Sequence, residues 1–157
     1  MAGSTPQPAN TATIAALVQR GMGELAEKRY DEAIADETEA IGLKPDNAPA
    51  YGIRGVADKE LDGALTDCNQ SLRLSPKSFA ALDSRGFVEL RLGQYDKAIA
   101  DFTAGLDLNP KGASSLSCRG IAKRRSGDTA SGNADVTAAE AIDPNVAKTY
   151  SGYGVAP

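Results

Sequence analysis

The chain has no histidine and no tryptophan among its 157 residues. The missing histidine removes Ser-His-Asp and Cys-His nucleophile systems, and with them the commonest transition-metal ligand. Two cysteines, Cys68 and Cys118, are too few for a disulfide framework and read as small buried helix residues. A basic excess is also missing. Lys and Arg number 17 against 21 Asp and Glu, for a net charge of −4. That balance speaks against nucleic acid as a partner. No run approaches the roughly 18 apolar residues of a membrane span. The first ten residues carry neither a basic segment nor an apolar core, so they do not form a signal peptide. The expected compartment is the cytoplasm, with the periplasm as the alternative where a signal peptide has been removed. No catalytic constellation, metal cluster or cofactor motif is visible, so a protein without enzymatic activity is expected.

What is present is periodic. Arg-Gly recurs at Arg20-Gly21, Arg54-Gly55, Arg85-Gly86 and Arg119-Gly120, at intervals of 34, 31 and 34 residues. Pro45, Pro76, Pro110 and Pro144 run in register, and Ala33, Ala64 and Ala98 stand 12 residues before their prolines, with Gly132 at the fourth place. These markers divide the chain into a disordered N-terminal tail (1–13), four units (14–47, 48–78, 79–112 and 113–146) and a partial fifth (147–157). Within the third unit, Leu82, Phe87, Val88, Leu90 and Leu92 precede the break at Gly93-Gln94, and Ala98, Ile99, Phe102, Leu106 and Leu108 follow it. Spacings of three and four predict two helices and no strand. Asn109-Pro110 ends the second helix, because proline has no N–H and biases its predecessor away from the helical region. Short connections make the helices antiparallel. Small residues at a fixed phase let helix axes approach to about 8 Å, which offsets the roughly 1 kcal/mol that a mid-helix glycine costs.

Leu82, Gly86, Tyr95, Ala98, Phe102 and Pro110 resemble the tetratricopeptide repeat. Leu17, Gly21, Tyr30, Ala33, Ala40 and Pro45 carry the same pattern in the first unit. Tyr51, Gly55, Ala64 and Pro76 carry it in the second, and Leu116, Gly120, Ala139 and Pro144 in the fourth. The string from Tyr95 to Phe102 is especially similar to bacterial members. The resemblance implies an all-α solenoid of helix pairs wound into a right-handed superhelix, working as a scaffold that binds a partner protein or peptide. Four departures are visible. Arg replaces the usual Leu before each Gly, the second unit lacks three residues between Gly55 and Ala64, and Glu37 stands where an aromatic is expected. Gly132-Asn133 predicts a weakened second helix in the fourth unit.

The resemblance further implies a concave groove lined by the first helices. Its expected lining is Met22, Val56, Lys59, Asp83, Phe87, Leu90, Arg91, Ser117, Ile121, Arg124 and Arg125, flanked by Val18, Leu25, Gly52, Lys148 and Ser151. Met22, Val56, Phe87 and Ile121 share one phase as an apolar stripe, and Lys123-Arg124-Arg125 is the strongest charge run. An apolar groove with a basic end suits a peptide with an acidic flank or a free carboxylate. The alternative is that the stripe packs against neighbouring helices and the basic run is solvated. The Lys/Asn clamp of members that bind chaperone tails is absent, since Val18 and Met22 stand where it would begin.

Asp36, Asp67, Asp101 and Asp135 also share one phase, each nine residues before its proline. Paired with the four recurrent Arg they predict an Arg–Asp ladder, within units or between neighbours; a solvated face or an anion site is the competing reading. A second function class is self-assembly into a homo-oligomer through exposed end faces, since solenoids need polar caps and the glycine-rich end of the chain is short for a capping helix. Gly21-Met22-Gly23-Glu24-Leu25-Ala26 matches a dinucleotide-binding string but lies inside a helix, without the strand such a site requires. Asn69-Gln70-Ser71 matches a glycosylation acceptor, also within a helix.

Overall fold

The computed structural model describes residues 11–150 and 155. Among these it holds nine helices: α1 (Thr11–Ala26), α2 (Tyr30–Leu43), α3 (Ala48–Ala57), α4 (Leu61–Leu74), α5 (Phe79–Arg91), α6 (Tyr95–Leu108), α7 (Ala113–Ser126), α8 (Thr129–Ile142) and α9 (Val146–Tyr150). Helix α1 begins at Thr11, so three residues expected in the tail are helical; residues 1–10 lie outside the described ones, as does Ser151.

Local chemistry sets the boundaries. Asn47 and Ser78 cap α3 and α5 by accepting the backbone N–H of Ala50 and Ala81, each at 3.2 Å. Asp128 caps α8 through Ser131 N–H at 3.2 Å. Such caps satisfy donors that the first helical turn leaves open. The hairpin turns of the third and fourth units place Gly93 and Gly127 at φ 74° and 104°, a conformation that costs glycine little. The first unit has Lys28 at the corresponding place, at φ 62°. The shortened second unit turns through Asp58-Lys59-Glu60 and loses helix length. Its α3 has 10 residues against 13 in α5 and 14 in α7. Arg91 donates to the Asp58 carbonyl at 3.0 Å and ties this turn to the next unit.

Each helix packs on its hairpin partner and on the first helix of the next unit, and the first helices also touch in the series α1–α3–α5–α7. The apolar core is therefore segmented. One cluster (Ile14, Leu17, Ala40, Ala50) closes the N-terminal end, another (Ala64, Cys68, Val88) joins the second and third units, and the largest surrounds Phe87, Phe102 and Ile121. This is the nearest-neighbour architecture of a solenoid.

Each recurrent Gly lies against the residue four after its unit's Ala33, Ala64, Ala98 or, in the fourth unit, Gly132: Glu37, Cys68, Phe102 and Val136. The fourth hairpin goes furthest. A Cβ on Gly120 would lie 2.7 Å from the Gly132 carbonyl oxygen, and one on Gly132 would lie 2.6 Å from that of Gly120. Contrary to the expectation of a weakened helix, α8 runs unbroken for 14 residues. Gly132 is what allows two backbones to meet, and packing offsets its low helix propensity.

Candidate protein-binding groove

Helices α1, α3 and α5 present their inner faces to a cavity of about 680 Å3. Met22 and Leu25 come from α1, Ile53 and Val56 from α3, and Phe79, Asp83 and Phe87 from α5. Lys28 stands at one border and Asn145, Lys148 and Thr149, at and before α9, at another. Met22 is 51 % exposed, so a large apolar side chain faces water at the cavity. Asp83 accepts a hydrogen bond from the Ser115 hydroxyl. Burial raises its carboxyl above the ordinary value, and the Ser115 contact acts the other way.

Of the residues expected to line the groove, Met22, Val56, Asp83 and Phe87 are brought together in this cavity. Leu90, Ser117 and Ile121 are buried in the array. Arg91 is engaged with the Asp58 carbonyl, and its guanidinium lies 5.9 Å from the Phe87 ring centre. Lys59 sits on the short turn, its ammonium 5.9 Å from the Tyr30 ring centre, beside a separate smaller hollow with Lys28, Arg29 and Tyr30. Arg124 and Arg125 are exposed in the last turn of α7, where cations offset the helix dipole. They do not border the cavity. The basic run divides, since Lys123 reaches Asp135 at 2.8 Å and the Arg124 stem lies over Gly132. Lys28 and Lys148 supply the positive border.

Ile53, Phe79 and Lys28 were not expected. Ile53 stands one helical position from Gly52, and Phe79 opens α5; a groove seen from slightly to one side of the assumed stripe would have included both.

The four Arg and four Asp do form a ladder, and every rung lies within a unit. Arg54 holds Asp67 through two bonds of 2.7 and 2.9 Å, Arg85 holds Asp101 at 2.6 and 2.8 Å, and Arg119 holds Asp135 at 2.7 and 2.8 Å. Arg20 and Asp36 pair in the same two-pronged way. Their planar fork geometry is the strong form of such a contact. The remaining nitrogen of Arg54, Arg85 and Arg119 reaches Thr38, Asn69 and Thr103 of the preceding unit, at 3.2, 3.1 and 3.3 Å. Each of these three arginines thus fixes one hairpin and its position on its neighbour. These guanidiniums are consumed by structure, which removes the anion-site reading.

Acidic groups beside the ladder are perturbed. Arg20 holds Asp36 below the ordinary carboxylate range. Burial opposes ionisation of Asp135, yet hydrogen bonds from Arg119 and Lys123 keep its value low. Glu37, at 0 % exposure, has neither carboxyl oxygen hydrogen-bonded among the described residues. Burial, then the neighbouring Asp36 and Glu24, push it up to about 8. Burial also pushes Glu89 up to about 7, and the Cys68 thiol up to about 12.

This architecture defines a class, the helix-pair solenoid with a concave inner face. Residues 79–111 match the family model of the tetratricopeptide repeat. A comparison with curated proteins finds no match. Among solved structures, TTC0263, a thermophilic tetratricopeptide-repeat protein of Thermus thermophilus, aligns with a TM-score of 0.74 at 21 % identity, over 92 % of this chain and 81 % of that one. The tetratricopeptide-repeat domain of Arabidopsis OM64 aligns at 0.64 and 26 % identity, over 73 % and 98 %. The first such domain of Spaghetti (RPAP3), bound to the HSP90 peptide SRMEEVD, aligns at 0.66 and 23 % identity, over 73 % and 95 %. The chain has the fold of these tetratricopeptide-repeat structures, and its third unit matches the family's sequence pattern. No described helix is long and apolar enough to cross a membrane.

Proposed function

We propose that this chain is a protein-interaction scaffold without chemistry of its own, holding a peptide or partner protein against the inner faces of α1, α3 and α5. The observation that carries this reading is the cavity of about 680 Å3, floored by Met22, Leu25, Val56 and Phe87 and bordered by Lys28 and Lys148. An apolar floor accepts the anchors of a helix or extended segment, and two lysines favour an acidic flank or a free carboxylate. The peptide held by the Spaghetti domain is acidic, in keeping with that charge. Its sequence is not carried over to this chain, because Val18 and Met22 replace the clamp residues. Two buried free cysteines fit a reducing compartment, the cytoplasm.

The test is Met22→Asp with Leu25→Ser in the full chain, with folding checked by circular dichroism. Partners captured by the parent chain and identified by mass spectrometry should lose at least about tenfold in affinity for the folded variant, measured with the purified partner. Unchanged affinity removes the cavity as the binding face.

Self-association is the second reading. A cavity of about 520 Å3 opens at the N-terminal end, lined by Ile14, Val18 and the half-exposed Leu43. A mass that rises with concentration in light scattering, and falls on Leu43→Glu, would favour it; a constant monomer mass would remove it.

A further inference from the structure

Among the described residues, Asp83 is the acidic side chain that lines the cavity between α1, α3 and α5. It stands one helical turn before Phe87 on α5, so the two share a face. The residue is partly exposed there, and one carboxyl oxygen accepts from the hydroxyl of the fully buried Ser115. The four recurrent Asp of the array are each answered by an arginine. Asp83 is not: burial and the Ser115 contact are what act on its ionisation, and no ammonium or guanidinium of the described residues pairs with it. The cavity's two lysines, Lys28 and Lys148, are exposed at its border. The site is thus negative at its apolar wall and positive at its border.

We propose that Asp83 is the specificity-determining residue of this cavity, and that it receives a Lys or Arg side chain from the partner segment. The inference rests on the reading of the cavity as the partner's site. The stem of such a side chain lies along Met22, Val56 and Phe87, as the apolar part of a long cationic residue does. Its head meets the second carboxyl oxygen of Asp83. Folding has already taken the carboxylate out of bulk water, so an arriving cation forms a charge-assisted hydrogen bond, about twice as strong as a neutral one. An aliphatic side chain in the same place would leave the carboxylate unpaired in a drier setting, and an acidic one would be repelled. The like charges at the site are the two border lysines, which water screens, and Arg91 beside Phe87, which is held at the Asp58 carbonyl. The border lysines favour acidic residues further out along the segment. The partner is therefore a segment with a basic residue set among apolar ones and acidic residues outside them.

The probe is a random-peptide library displayed on phage, panned on the full parent chain and counter-selected on the chain with Met22→Asp and Leu25→Ser. Sequences that survive depend on the cavity, and they should carry Lys or Arg between apolar residues. One survivor is then synthesised with Lys and with norleucine at that place. The parent should bind the Lys form tighter by about tenfold or more, whereas Asp83→Asn, which keeps an acceptor for Ser115, should bind the two forms within about twofold. Survivors without a basic residue, or a preference for Lys that persists in Asp83→Asn, overturn this proposal and leave the cavity as the binding face. A library that yields no cavity-dependent sequence overturns both. Should Asp83→Asn lose helicity, the parent chain decides through its 13C-labelled Asp carboxyl carbons. The Lys peptide must lower the pH at which Asp83 titrates and the norleucine peptide must not, since only a cation favours the ionised form; a titration that the Lys peptide leaves unmoved overturns the proposal equally.

Discussion

Replacing Glu37 by Met should stabilise the first unit, and the gain should grow with pH. The carboxyl is fully buried against the face of Gly21, with both oxygens lacking hydrogen-bond partners among the described residues. Asp36 and Glu24 face it and disfavour its charge, while Arg54 favours it. In the folded chain Glu37 keeps its proton to about pH 8, whereas the unfolded chain releases it near the ordinary 4.5. The unfolded state therefore binds fewer protons across that window. Stability contributed by the neutral folded carboxyl is complete below about 4.5 and drains away as pH rises towards 8. At about 1.4 kcal/mol per unit, this amounts to about 3 kcal/mol at pH 7 and about 1 kcal/mol at pH 5. Methionine fills the space with an adaptable apolar chain and does not titrate. Urea unfolding followed by circular dichroism at pH 5, 6, 7 and 8 should show the variant's advantage widening by about 3 kcal/mol from one end to the other. Glu89, raised to about 7, changes parent and variant alike and cancels in the difference. An advantage that stays constant across these pH values would refute the reasoning.

Three further substitutions test the packing account. Gly120→Ala should cost about 2–3 kcal/mol, because its Cβ would meet the Gly132 backbone. Gly23→Ala, with open space around it, should add about 0.5–1 kcal/mol; thermal melts that rank the two alike would contradict this. Lys28→Gly should relieve a left-handed residue and stabilise the chain by about 0.5–1 kcal/mol in denaturant unfolding. In the ladder, double-mutant cycles should find a coupling of about 1–3 kcal/mol for Arg119–Asp135, where the Arg side chain is 18 % exposed. Coupling should be weaker for Arg20–Asp36, where the Arg is 60 % exposed and screening is stronger; equal couplings would show that burial does not set the strength.

The ladder was legible in the sequence because both members recur at a fixed offset within each unit, and a helical hairpin converts a fixed offset into a fixed distance. Arg85 and Asp101 are 16 residues apart, as are Arg119 and Asp135, and both pairs meet in the same fork. Even the second unit, three residues shorter, keeps its rung, since the deletion falls in the turn and the end of α3, beyond Arg54. Phase does not reveal what covers a side chain. Met22, Val56, Phe87 and Ile121 occupy one phase, yet Met22 is exposed and Ile121 buried. The difference arises from residues far along the chain, α9 and Val155 among them. The run Lys123-Arg124-Arg125 fails as a single patch for a related reason. Successive helix residues point about 100° apart, so Lys123 turns to Asp135 while Arg124 lies over Gly132. A repeat sequence therefore specifies the rungs of its own scaffold closely, because those are intra-unit distances. Its binding surface is left to depend on contacts between units, which no single unit's pattern encodes.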